Sequence, residues 1–176
     1  MSMTVIPAHN EQVCSTWGNF HFKTFDGDFF QLPSTCNYIL TAMCGSTYED
    51  FNIQIRRHVV QHQPTITSIT MMLDGTVVDF TNSSISVDGQ LVTLPFSQSG
   101  VLIDKSFTYI KITAKFGLVA MWNGHDSFMV ELDKKYQHKT CGLCGDFNGI
   151  QMYNEFMDNG MIDHLYGSLT QNMNLY

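Results

Sequence analysis

The sequence predicts an all-β protein, an antiparallel β-sandwich, and three observations carry that prediction. Apolar residues recur at every second position: Phe51, Ile53 and Ile55 alternate with Asn52, Gln54 and Arg56, and Ile110, Ile112, Ala114 and Phe116 with Lys111, Thr113 and Lys115. That period belongs to a strand with one buried face. Asp74-Gly75, Asp88-Gly89 and Asn123-Gly124 each stand between β-branched or aromatic runs, as hairpin dipeptides do. The segments they separate are many and short, which suits a sandwich or flattened barrel.

Taken in order, residues 1–13 read as a flexible, polar lead-in. Strands are expected near 19–24, 28–32, 37–42, 50–58, 65–73, 76–81, 84–87, 90–94, 101–104, 107–116, 117–122 and 127–132. Beyond Gly149 the alternation loosens, and Met152–Met157 reads as a short helical turn. The chain shows no internal repeat and no low-complexity tract.

At 176 residues the chain has room for one well-buried domain. Its net charge is -7, and basic residues are scattered apart from Arg56-Arg57 and Lys134-Lys135. Phosphate binding wants clustered Lys and Arg, so nucleic acid is not an expected partner. No apolar run reaches the roughly 18 residues of a membrane span, so no membrane partner is expected either. Cys14, Cys36 and Cys44 lie early and Cys141 and Cys144 late, a distribution that suits large disulfide loops in a secreted protein. Five is an odd count, so one thiol is free or pairs outside this sequence. Asn82-Ser83-Ser84 is a glycosylation sequon and agrees with a secretory route. The first residues lack the charged and apolar regions of a signal peptide, so a secreted protein would carry its signal upstream.

The chemistry concentrates in Cys141-Gly142-Leu143-Cys144-Gly145-Asp146-Phe147-Asn148-Gly149. A CxxC of the redox type needs its first cysteine at a helix N-terminus, where the thiol pKa falls, and no helix is indicated here. A zinc knuckle wants a second CxxC or a His pair at matching spacing, and none is evident. Structural disulfides to the early cysteines are the favoured reading, with thiol–disulfide exchange as the alternative. Asp146 and Asn148 alternate on a Gly-flanked turn and offer hard oxygens suited to calcium. The spacing is not that of an EF-hand. Thr24-Phe25-Asp26-Gly27-Asp28 reads either as a plain polar turn or as the source of one more carboxylate for that site.

Met121 and Met129 flank the loop Asn123-Gly124-His125-Asp126. If that loop is centred near His125 the two thioethers oppose each other on one face, a soft pair suited to Cu(I). If the turn is tight at Asn123-Gly124 they point to opposite faces. The competing reading is ordinary core filling. Nucleophile-elbow, zinc-protease and phosphate-loop motifs are absent, and His21, His58, His62, His125 and His138 have no evident paired nucleophile.

With these residues in view the chain resembles a von Willebrand factor type D domain, most nearly that of the first D assembly of secreted gel-forming mucins. The matching text is Val13 to Asp28 (VCSTWGNFHFKTFDGD), Cys36-Asn37-Tyr38, Tyr48 to Arg57, Leu94 to Ile103, Met121-Trp122-Asn123, Glu131-Leu132-Asp133 and Thr140 to Gly149. The resemblance implies a domain over 14–166 followed by the start of a linker, 167–176, to a cysteine-rich module. It implies pairing of Cys14 with Cys144 and of Cys44 with Cys141, and a partner for Cys36 past the C-terminus. It implies a calcium site built from Asp26, Asp146 and Asn148, with the Ile150 carbonyl and Asn154 or Glu155 completing the shell, and Asp28 left as a solvated turn carboxylate. It also implies a non-enzymatic, extracellular role in mucus: disulfide-linked polymerisation and packing with neighbouring D-assembly modules. Met121 and Met129 match positions implicated in Cu(I) binding, and His9 is an approximate match to a Cu(II) ligand.

Overall fold

The computed structural model describes residues 12–44 and 51–150. Two antiparallel sheets enclose one core. In chain order the strands are β1 (Val13–Trp17), β2 (His21–Lys23), β3 (Phe29–Gln31), β4 (Asn37–Met43), β5 (Phe51–Val60), β6 (Gln63–Leu73), β7 (Thr76–Thr81), β8 (Ile85–Val87) and β9 (Gln90–Leu91). They continue with β10 (Phe96–Gln98), β11 (Val101–Lys105), β12 (Ile110–Ala114), β13 (Leu118–Trp122), β14 (Phe128–Leu132) and β15 (Thr140–Cys141). One sheet runs β10-β11-β12-β13-β14-β1-β2-β3 and the other β15-β4-β5-β6-β7-β8-β9.

The alternation read from sequence is what builds the core. Phe51, Ile53 and Ile55 of β5 are buried, as are Ile112 and Ala114 of β12. Across the core, Phe80 of β7 meets Trp122 of β13 edge-on at 5.9 Å, and Phe51 of β5 stacks on Phe116 of the β12–β13 turn at 6.2 Å. Asp74-Gly75 and Asp88-Gly89 form the expected two-residue hairpins, with Leu73 opposite Thr76 and Val87 opposite Gln90. Both aspartates and both glycines have φ between 47° and 84°, the left-handed region that such turns demand. In the β5–β6 hairpin an extra residue interrupts the register between Arg56 and Arg57, so both Ile66 and Ile69 of β6 face inward.

Several expectations need correction. Of the two turns left open at the third dipeptide the wider one forms: Trp122 pairs with Phe128, so the connection spans Asn123 to Ser127. The Asn123 side-chain oxygen accepts N–H bonds from both His125 and Ser127 and closes that wider loop. β1 begins inside the segment taken as a flexible lead-in. Its inward positions are Cys14 and Thr16, neither of them a conspicuous hydrophobe. The strand expected at 19–24 is shortened, because Phe20 adopts φ 59° and turns the chain into β2. The strand expected at 107–116 begins only at Ile110, since Phe107 lies on the fully exposed tip of the β11–β12 hairpin. β10 and β15 were not anticipated; each is three residues or fewer. The helical turn expected at 152–157, the end of the domain and the linker lie outside the described residues. Among the described residues no helix is long and apolar enough to cross a membrane.

Candidate metal centre

The CxxC loop is seated on a bulge. In β4 the register shifts between Ile39 and Thr41, which turns the Ile39 and Leu40 carbonyls toward the loop. They accept the N–H groups of Leu143 at 3.1 Å and Cys144 at 2.9 Å. Gly142, with φ 109°, passes so close that a Cβ there would lie 2.8 Å from both carbonyl oxygens. Both cysteines are bridged to residues far away in the chain: Cys14 to Cys144, 130 residues apart with Cα atoms at 5.5 Å, and Cys44 to Cys141, 97 apart with Cα atoms at 5.8 Å. The pairing that the resemblance implies is therefore present, and the two cysteines of the motif are not bonded to each other. Cys36 is half-buried and takes part in neither bridge.

This platform carries the oxygen-rich loop to Asp26. The Phe25 N–H donates to the Cys144 carbonyl, and the buried Phe25 and Phe147 rings pack at 4.8 Å. Phe147 adopts φ 57°, and its carbonyl accepts the His138 N–H, so Asp146 and Asn148 are held on either side of a fixed residue. The two Asp26 carboxylate oxygens accept the Asn148 N–H at 3.1 Å and the Gly149 N–H at 2.6 Å. Burial pushes the Asp26 carboxyl above its ordinary range against the pull of those two bonds, and the neighbouring Asp146 carboxylate pushes it further up. Two carboxylates held beside each other in a partly desolvated loop fit a divalent cation, which would relieve both costs.

The Asn148 amide is engaged within its own turn. Its Nδ2 donates to Asp146 at 3.0 Å, and its Oδ1 accepts the Ile150 N–H at 2.7 Å. Turning the amide would bring Oδ1 toward Asp146 and give up the Ile150 bond. Ile150 ends the described stretch with its side chain exposed, and Asn154 and Glu155 lie outside it. Among the described residues there is no group of three His, Cys, Asp or Glu suited to a metal ion; the set here is two carboxylates and an amide. Asp28 departs from the solvated role expected of it. The Asp28 N–H donates to the buried Thr24 hydroxyl, and carboxylate Oδ2 is enclosed with no hydrogen-bond partner among the described residues. Burial accordingly raises its pKa.

The wide β13–β14 loop places Met121 directly opposite Met129. Both are half-buried on the outer face, flanked in register by Lys111 on β12 and Ser15 on β1. Neither neighbour is a soft ligand, so a third one must come from elsewhere; His9 lies outside the described residues. Sequence reading missed what holds this loop. Arg57 is 3% exposed, and its Nη2 donates to the Thr16 hydroxyl at 2.8 Å and to the Asp126 carbonyl at 2.6 Å. Burial lowers its pKa to about 10, with the Asp126 carboxylate acting against that shift. Asp126 in turn accepts from Asn123 Nδ2 and the Gly18 N–H, and these bonds hold its carboxyl below the ordinary range. The signal for Arg57 was its parity with Phe51, Ile53 and Ile55, and that for Gly142 its place inside a motif that must pass a strand closely.

A two-sheet sandwich whose ends are stapled through a CxxC that opens into an acidic loop defines the class. The family model for the von Willebrand factor type D domain matches residues 14–161, and the chain belongs to that family. It is 56% identical to human Mucin-5AC over 151 residues, 49% to human Mucin-5B over 150 and 40% to human Mucin-2 over 156. These matches cover 86%, 85% and 88% of this chain and 3% of each relative.

Proposed function

We propose that the chain is a non-enzymatic structural module of a secreted gel-forming mucin, in the first D assembly, working extracellularly in mucus. It binds calcium and takes part in disulfide-linked polymer assembly and packing with neighbouring D-assembly modules. One observation carries the calcium reading: Asp26 is bound to the Asn148 and Gly149 N–H groups beside Asp146. The oxygens that would hold the ion are those of Asp26, Asp146 and Asn148, the Ile150 carbonyl, and Asn154 or Glu155. When bound, calcium supplies positive charge that offsets the like-charge cost at Asp26. The protein's own part is to bring a turn from before β3 against the loop that follows the CxxC. Engagement of Cys141 and Cys144 in separate long-range bridges supports the structural reading over thiol–disulfide exchange. The Met121–Met129 register favours a second capacity, Cu(I) binding. Asn82 is exposed in its sequon and is read as glycosylated.

Equilibrium dialysis with radioactive calcium tests the site. The folded wild-type chain is expected to retain about one ion per molecule at millimolar calcium or below, and Asp26→Ala to lose it. A folded wild type that retains none contradicts the proposal.

A further inference from the structure

A groove of ≈ 850 Å³ opens between the ends of the two sheets, lined by residues of the β7–β8 turn, the β11–β12 tip and the end of β13, and by none of the oxygen-rich loop. Its surroundings are amphipathic. Phe107 is 107% exposed, Leu91 77% and Tyr109 39%, and hydroxyl-bearing residues including Thr93 and Ser106 line the groove with them. Trp122 lines it as well, 4% exposed, and its buried indole N–H has no acceptor among the described residues. Aromatic faces beside hydroxyl groups suit an occupant that has both C–H faces and hydroxyls. A carbohydrate has both.

The groove has such an occupant within reach, because Asn82 is itself one of its lining residues. The Thr81 N–H donates to the Ser84 carbonyl at 3.0 Å, and the Thr81 and Ser84 hydroxyls are bonded at 2.8 Å. Those contacts close the turn and hold exposed Asn82 at the rim. We infer that the glycan carried by Asn82 folds back into this groove, its inner sugars packed on Phe107 and Tyr109. The inference rests on the glycosylation reading given above. Attachment joins Asn82 Nδ2 to the anomeric carbon of an oligosaccharide activated as a lipid diphosphate; the amide gives up one proton and the lipid diphosphate leaves. The seated glycan covers the large exposed apolar group at the β11–β12 tip without any protein partner.

Hydroxyl-radical footprinting of the full chain, secreted from glycosylating cells, tests this. Oxidation of Phe107 and Tyr109 is expected to be at least about fivefold lower in the glycosylated protein than after enzymatic glycan removal or in Asn82→Gln. Phe29, 70% exposed on the far edge strand, serves as an unchanged internal reference. If intact mass shows Asn82 occupied and Phe107 equally oxidised in all three samples, the groove is empty of glycan and the inference falls while glycosylation stands. If the mass shows Asn82 unmodified, both fall. Equal, concentration-dependent protection in Asn82→Gln would assign the groove to a second copy of the chain and overturn the inference.

Discussion

The Asp26 carboxylate accepts the Gly149 N–H at 2.6 Å across 123 residues of chain. The contact exists because Phe25 and Phe147, one position before Asp26 and two before Gly149, are packed together in the core. Burying an aromatic pair is worth more than the polar contact beside it, so the hydrophobic anchor positions the carboxylate. The oxygen-rich loop is thus preformed by packing, and a cation would bind an arrangement that the core already imposes.

Gly142 is expected to tolerate no side chain. Gly142→Ala places a Cβ against the Ile39 and Leu40 carbonyls and holds Ala at φ 109°, at a cost of about 1–3 kcal/mol from backbone strain alone. Gly124→Ala is the control, with φ 81° and nothing within 4 Å of the added carbon. Urea unfolding is expected to show a clearly larger loss for Gly142→Ala. Equal losses would mean that the loop does not need its close seat on the bulge.

Non-reducing peptide mapping is expected to recover Cys14 linked to Cys144 and Cys44 linked to Cys141. The paired change Cys14→Ser and Cys144→Ser opens a loop of 130 residues, and in the chain-entropy model it costs about 5 kcal/mol. A dominant Cys141–Cys144 bridge in the native protein would revive thiol–disulfide exchange.

Asp126 gives a pH signature. Its folded carboxyl titrates below the ordinary range because Asn123 and the Gly18 N–H bind the ionised form. A depressed carboxyl stabilises the fold above its unfolded pKa, and that contribution is lost as pH falls through the lower, folded value. The stability gap between wild type and Asp126→Asn is therefore expected to be full at neutral pH and to shrink below about pH 4. A gap that stays constant to the acid limit would remove Asp126 as the cause.

Met121 and Met129 face each other, so Met121→Leu with Met129→Leu keeps volume and is expected to leave folding within about 1.5 kcal/mol of wild type. Cu(I) binding measured against a chromogenic chelator is expected to fall by at least tenfold. An unchanged affinity in the folded variant would leave the pair as ordinary packing.

The sequence made the sheets legible wherever inward positions were plainly apolar, as at Phe51, Ile53 and Ile55. It failed at β1, where Thr16 and Cys14 point inward and the stabilising contacts are a hydroxyl bond to the His21 carbonyl and a disulfide. Arg57 escaped notice for a related reason: its parity placed it on the buried face, but the Thr16 hydroxyl and Asp126 carbonyl that accept from its Nη2 come from distant strands and loops. At the candidate site, Asp26 and Asp146 were legible as chemistry. The second task of Asn148 was not legible: its amide also serves the turn that it sits in. Asp28 looked solvated in a run of polar residues, but its turn folds back onto buried Thr24.

The most direct measurement is the melting temperature of the wild-type chain and of Asp146→Ala, each in calcium and in chelator. Binding to the folded state alone raises stability by about 2.7 kcal/mol at a hundredfold excess over Kd, or roughly 5–10 °C for a domain of this size. The account predicts that rise in wild type and its loss in Asp146→Ala. A wild type that melts at the same temperature in calcium and in chelator would contradict it.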